Sequence, residues 1–202
     1  MSLESSSLTP SQDANRSAIL DAARDLFARY GFKKTTMEDI AMALRKGKSS
    51  LYYYFKNKED IFQAVIDSES EILFKKLKEV VDSDLSPKDK LRNYVIVRMQ
   101  TISQVANYQK VLKEDFYGEY NFLGANRKKG ESVEEAYLKT ILEVGVRNGV
   151  FNIRDIQLGA MSIAVVLRGL EIPLFRGSTS VQDLSGQLDN ILNIFFYGLV
   201  KN

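Results

Sequence analysis

Apolar residues recur at three- and four-residue spacing along most of this chain, and the polar breaks between those stripes carry helix caps. Ile19, Ala22, Ala23, Leu26, Phe27 and Tyr30 form one amphipathic stripe, and Gly31 stands where a helix C-terminus accepts a left-handed residue. Met37, Ile40, Ala41 and Leu44 form a second. Ahead of it, Thr36 and Asp39 have the spacing of a capping box with Asp in place of Glu. A third, short helix is expected over residues 48–54 with Gly47 as its N-cap. Asn57 and Asp60 then open a fourth, whose apolar face runs from Ile61 to about Val80.

The pattern continues beyond that connector. Ser86-Pro87-x-Asp89 is a start signal, since Pro at the first helical position gives up no hydrogen bond and Ser accepts from the orphan amides. Leu91, Tyr94, Val95, Arg98, Met99 and Ile102 make the following stripe. A helix over residues 108–117 is broken at Gly118, Ser132 and Glu135 open the next, and Asn148-Gly149 closes it. Residues 155–170 and 181–200 are apolar around much of their circumference, so each must be buried on more than one side. No period-two segment reads as a strand. The expectation is an all-α protein of about nine helices: a flexible leader at 1–12, a small three-helix domain at 13–60, and a larger helical domain at 61–202.

Composition narrows the function. Among 202 residues there is no Cys and no His, which removes thiolate nucleophiles, the Ser-His-Asp relay, imidazole acid-base work and most zinc sites. No metal or cofactor is expected. The start MSLESSSLTPSQD lacks the cationic and apolar regions of a signal peptide, and no apolar stretch approaches membrane-spanning length, since the best candidate, Ala160 to Leu167, stops at Arg168. A cytoplasmic protein without membrane contact is expected. The net charge of +2 hides an asymmetry: from Arg29 to Lys58 eight cations face two acids, leaving the remainder of the chain net acidic. Such a basic segment steers one end of a molecule toward a polyanion.

The second and third helices have the spacing of a helix-turn-helix, joined by a link around Arg45 to Gly47. Such a unit presents its second helix to the major groove. Lys48, Ser49, Tyr52 and Tyr53 form the outward face. Leu51 and Phe55, four residues apart, anchor the other side, and of the three tyrosines Tyr54 is expected in the core. Tyrosines at helical spacing are also common packing residues, Lys33, Lys34 and Lys56 also fit a solvated rim, and Thr35-Thr36 also fits a plain cap. The GKSS of residues 47–50 imitates the end of a phosphate-binding loop. That motif needs Gly at position 42, which is Met within a helix.

From Ile19 to Asp60 the chain reads ILDAARDLFARYGFKKTTMEDIAMALRKGKSSLYYYFKNKED and closely resembles the DNA-binding domain of TetR-family transcriptional regulators. It matches their AA-x-x-LF-x-x-x-G-F-x-x-TT opening, their IA-x-x-A second helix and their LYYYF-x-x-K-E-D close. The resemblance implies that Thr36, Tyr52, Tyr53 and Lys58 hold phosphates, that Lys48, Ser49 and Ser50 read base edges, and that Lys46 does either. The departures lie in the turn, where the family has Gly, an apolar residue and Ser or Thr, and this chain has Arg45, Lys46 and Gly47. Arg45 then occupies the left-handed position at a cost of about 1 kcal/mol, unless Gly47 relaxes the link.

The resemblance further implies a C-terminal domain that binds a small-molecule effector and forms a homodimer through its last two helices, with an inverted-repeat (palindromic) operator in double-stranded DNA as target and repression as the default. The apolar surplus of residues 155–170 and 181–200 agrees, with Ala160, Ala164, Leu188, Ile191 and Phe195 as interface residues. Tyr94, Arg98, Met99, Phe116, Tyr117, Tyr120, Phe122 and Tyr137 either line an effector cavity or form ordinary core. Two other functions compete. One is a ligand-binding protein that keeps its helix-turn-helix as scaffold; the other is an enzyme using Glu114, Asp115 and Glu119 as paired carboxylates.

Overall fold

The computed structural model describes residues 9–114, 124–175 and 193–194, and the expected helix over 181–200 lies outside them apart from 193–194. Eight helices run through the described residues, with no strand: α1 Pro10–Tyr30, α2 Met37–Ala43, α3 Lys48–Tyr52, α4 Lys58–Asp82, α5 Pro87–Ile102, α6 Ala106–Glu114, α7 Gly124–Arg147 and α8 Ile156–Phe175. Packing divides the chain into two compact units, Met1–Ser68 and Glu69–Asn202. The division falls within α4 and later than residue 60, because Ile61, Phe62, Val65 and Ile66 are buried with the residues before them.

The first unit closes around aromatic rings. Phe27 of α1 meets Phe62 edge-on at 5.0 Å, and Phe32 tilts against Phe62 at 4.8 Å, the offset geometry that ring quadrupoles favour. Ile19, Ala23, Ile40, Leu51 and Phe55 are among the other residues buried there. Gly31 ends α1 at φ 85° and ψ 160°, a region open in practice only to glycine. Helix α1 starts within the stretch read as a leader. Thr9 accepts from the Gln12 amide, the Gln12 side chain accepts from the Thr9 amide, and Pro10 fills the first helical position.

The second unit is a helical bundle whose core joins Leu73 and Leu77 of α4, Leu91, Val95 and Ile102 of α5, Leu138, Ile141 and Leu142 of α7, and Ala160, Ala164 and Leu167 of α8. Ser86 caps α5 as its sequence requires, accepting from the Asp89 amide at 3.2 Å. Ser132 differs from expectation. It lies inside α7, which starts at Gly124, and local cap spacing does not distinguish a start from a polar patch in mid-helix. After α7 the chain folds back at Gly149, φ 69°, and the Phe151 ring lies over Gly145, where a side chain would have no room.

Candidate nucleic-acid interface

Local chemistry builds the helix-turn-helix in three steps. At the start of α2, Thr36 accepts from the Asp39 amide at 3.1 Å while Asp39 accepts from the Thr36 amide at 2.9 Å and hydroxyl at 2.7 Å. Those Thr36 bonds hold the Asp39 carboxyl below its ordinary range, the side-chain bond contributing most. Thr35 is buried, and its hydroxyl donates to the Gly31 carbonyl at 2.9 Å. The two threonines thus divide the work: the first ties the loop to α1, and the second caps α2.

The turn after α2 is a Schellman closure built on arginine. Arg45 adopts φ 53°; its amide donates to the Met42 carbonyl at 3.0 Å and the Lys46 amide to the Ala41 carbonyl at 3.0 Å. Gly47 sits at φ −74° and ψ 153° as the N-cap of α3, so it does not relieve the left-handed strain on Arg45. Leu51 and Phe55 are buried and fix α3 against the unit. Tyr54 is half-buried, short of the core position expected, with its ring edge-on to Tyr53 at 4.8 Å.

The outward face carries the residues singled out from sequence. Thr36, Lys46, Lys48, Ser49, Tyr52 and Tyr53 are exposed, Tyr52 by 52% and Tyr53 by 67%, while Ser50 and Lys58 are half-buried. Several are engaged within the chain. Lys48 pairs with Glu38 of α2, Lys46 donates to the Asn15 side chain at 2.5 Å, and Tyr53 accepts from the Gln12 side-chain amide at 2.6 Å. Lys58 donates to the Phe32 carbonyl at 2.8 Å, with its ammonium 4.3 Å from the centroid of the Phe32 ring. The start of α1, the start of α2 and α3 therefore meet in one polar surface that presents Lys46 and Lys48. Periodicity alone does not bring Gln12, Asn15 and Glu38 to this surface. Thr9-Pro10-x-Gln12 is nonetheless a capping signal that locates the start of α1.

In the second unit, Tyr94, Arg98 and Met99 of α5 are buried and Tyr137 of α7 is half-buried; Phe116, Tyr117, Tyr120 and Phe122 lie outside the described residues. Arg98 is met by Glu134 of α7 in a buried two-pronged ion pair, its second bond at 3.4 Å. Beside it the buried Tyr94 hydroxyl has no hydrogen-bond partner among the described residues. Burial pushes the Tyr108 phenol up to about 12 and that of Tyr94 further still. Glu69 of α4 is also buried. It accepts from the amides of Asn107 at 3.0 Å and Tyr108 at 2.8 Å and so closes the start of α6.

On α8, Ala160 and Ala164 turn inward into the bundle core, whereas Leu158, Met161 and Val165 form an exposed apolar face, 53%, 44% and 55% accessible. Leu188, Ile191 and Phe195, and the side chains of Glu114, Asp115 and Glu119, lie outside the described residues. Among the described residues no cluster of acids could hold a metal ion, and no helix is long and apolar enough to cross a membrane.

Residues 19–65 match the family described as bacterial regulatory proteins, tetR family. The HTH-type transcriptional repressor KstR2 of Mycolicibacterium smegmatis is 31% identical over 149 residues, which span 71% of this chain and 71% of that protein. The HTH-type transcriptional regulator QacR of Staphylococcus aureus is 25% identical over 189 residues, 91% of this chain and 97% of its own. The transcriptional regulator FadR from Bacillus subtilis, in a crystal structure with stearoyl-CoA, superposes with a TM-score of 0.75 over 91% of this chain and 99% of its own at 19% identity, a likeness of fold.

Proposed function

The chain belongs to the tetR family of bacterial regulatory proteins and is a transcriptional regulator, and from that premise we propose that it is a dimeric repressor that leaves an inverted-repeat operator when a small molecule binds. The observation that carries the reading is the surface on which Thr36, Lys46, Lys48, Ser49, Tyr52 and Tyr53 stand exposed together. Cations and hydroxyls suit phosphate oxygens, and an α3 anchored by Leu51 and Phe55 leaves its other face for base edges. Two copies related by a two-fold axis bring two such helices about 34 Å apart, one turn of duplex.

The dimer forms through α8, whose Leu158, Met161 and Val165 face is too apolar to remain in water. The effector binds in the second unit beside Tyr94, Arg98, Glu134 and Tyr137. There the buried Tyr94 hydroxyl has no partner among the described residues and is free to donate to a ligand, and a repressor, KstR2, and a regulator bound to stearoyl-CoA, FadR, give precedent for repression and for an acyl ligand. Such a ligand acts by its preference for the conformation that spaces the recognition helices too widely for the operator. It acts in the cytoplasm, where the DNA is.

The test is selection of duplexes from random and genomic DNA by the purified protein, followed by titration at several salt concentrations. An inverted repeat, a steep loss of affinity with salt, and a large loss on Lys48→Ala are expected. Recovery of no sequence above random background would end the proposal. Retained affinity in Lys48→Ala would move the reading surface elsewhere.

A further inference from the structure

The capping box of α1 has a second role. In an ordinary box the Gln side chain finishes its work by accepting from the cap amide. Here Gln12 has one oxygen and one NH₂ group, and both are used: Oε1 accepts from the Thr9 amide at 2.8 Å, and Nε2 donates to the Tyr53 hydroxyl at 2.6 Å. A backbone N–H only donates, so it fixes which end of the amide faces Thr9. The NH₂ end is thereby committed to Tyr53, whose oxygen must accept. The single Tyr53 proton is left for a partner on the other side, and Tyr53 is among the most exposed large side chains of the first unit. Its ring is held edge-on to Tyr54, which restricts where that proton can point.

We propose that Gln12 is a positioning residue for DNA binding: through the forced polarity of its amide it holds the Tyr53 hydroxyl as a donor toward a backbone phosphate. A phosphate oxygen accepts and does not donate, so the hydroxyl must present its proton. Unsupported, a phenol in water rotates and spends a share of its time turned the other way, and that freedom is lost on binding. With Gln12 in place the rotor is set before DNA arrives. Asn15 plays a related role about a turn further along α1, accepting from Lys46 at 2.5 Å, but an ammonium has three protons and needs no polarity set. The inference rests on the DNA-binding reading above, with Tyr53 as a phosphate contact.

The experiment uses the full-length protein and a labelled duplex selected by it from random DNA. If no duplex is selected, the reading of function fails before this inference is reached. Gln12→Glu is the informative variant. Its carboxylate still accepts from the Thr9 amide and favours the positive end of α1, so the melting temperature should hold or rise. Its second oxygen, however, can only accept. It takes the Tyr53 proton and reverses the hydroxyl.

Affinity is expected to fall about tenfold per protomer for Gln12→Glu and for Tyr53→Phe, the size of one hydrogen bond to a charged group. The double variant should be little worse than Tyr53→Phe alone, because there is no longer a hydroxyl to misdirect. Gln12→Ala should lose less affinity than Gln12→Glu while melting lower. A Gln12→Glu protein that binds as tightly as wild type overturns the proposal. So does an undiminished Tyr53→Phe. Additive losses in the double variant also overturn it, since they would mean that the new charge merely repels DNA.

Discussion

Arg45→Gly should make the protein more stable and a weaker DNA binder at once. Arg45 sits at φ 53° with its amide and that of Lys46 closing α2. A side chain in that conformation costs about 1–2 kcal/mol. Glycine removes the strain but gives back roughly 0.5–1 kcal/mol through the freedom of its unfolded chain. The net gain should be about 0.5–1 kcal/mol, or roughly 1–4 °C in melting temperature for a chain of this size.

The same change deletes an exposed cation next to Lys46, in the basic stretch that faces DNA in the proposed complex, where Arg45 is expected to meet one phosphate per protomer. Each phosphate contact contributes about 0.9 to the slope of log affinity against log salt, so a dimer that loses two should bind more weakly with a slope shallower by about 1.8. Arg45→Lys is the control, since it keeps both the left-handed side chain and the charge. Thermal melting by circular dichroism and fluorescence anisotropy across a salt series read the two effects separately. A glycine variant no more stable than the lysine one would refute the strain argument. An unchanged salt slope would refute the phosphate contact.

Gly145→Ala should destabilise the second unit by about 1–3 kcal/mol, because the new Cβ would overlap Cδ2 of Phe151 and the ring must move; an unshifted melt would mean the ring moves freely. Arg98→Met alone should cost about 3–5 kcal/mol by leaving Glu134 buried without its cation, whereas Arg98→Met with Glu134→Leu should recover much of that loss. Chemical denaturation of the two variants checks this, and equal losses would count against it. Stability should also fall at alkaline pH. An unfolded tyrosine releases its proton near pH 10 while folded Tyr108 holds its own to about 12, so this contribution is intact below about pH 10 and is lost as pH rises toward 12. Melting temperature against pH should fall less steeply for Tyr108→Phe, and an identical slope would discount the burial of that phenol.

Much of the first unit is legible because its signals are local. Thr36 and Asp39, Asn57 and Asp60, and the Leu51 and Phe55 pair each act within one turn of helix, and the structure has them in those roles. Gly31 ends α1 as expected, but with ψ 160° in place of the left-handed helical conformation. The start of α1 is equally local, in Thr9, Pro10 and Gln12, yet the polar, Ser-rich approach to it reads as leader and hides the cap. Ser132 fails in the opposite direction: a capping pattern occurs where continuous packing carries α7 through it. In the turn, the sequence leaves the strain on Arg45 or its relief on Gly47, and the backbone chooses Arg45.

The sequence by itself determined the helical periods, the caps at Thr36, Asn57 and Ser86, the helix-turn-helix and the family resemblance, because each is written in short motifs of residues a few positions apart. Only the tertiary structure decided which partner each polar side chain takes. Gln12 finds Tyr53, Glu69 finds Asn107, and Arg98 finds Glu134 across separations of 41, 38 and 36 residues. It likewise decided that Ala160 and Ala164 turn into their own bundle while Leu158, Met161 and Val165 are left outside. A helix apolar around its circumference carries no mark of which side faces its own chain. That choice is made by the helices it packs against, and among the described residues α8 packs chiefly on α7 and also meets α6.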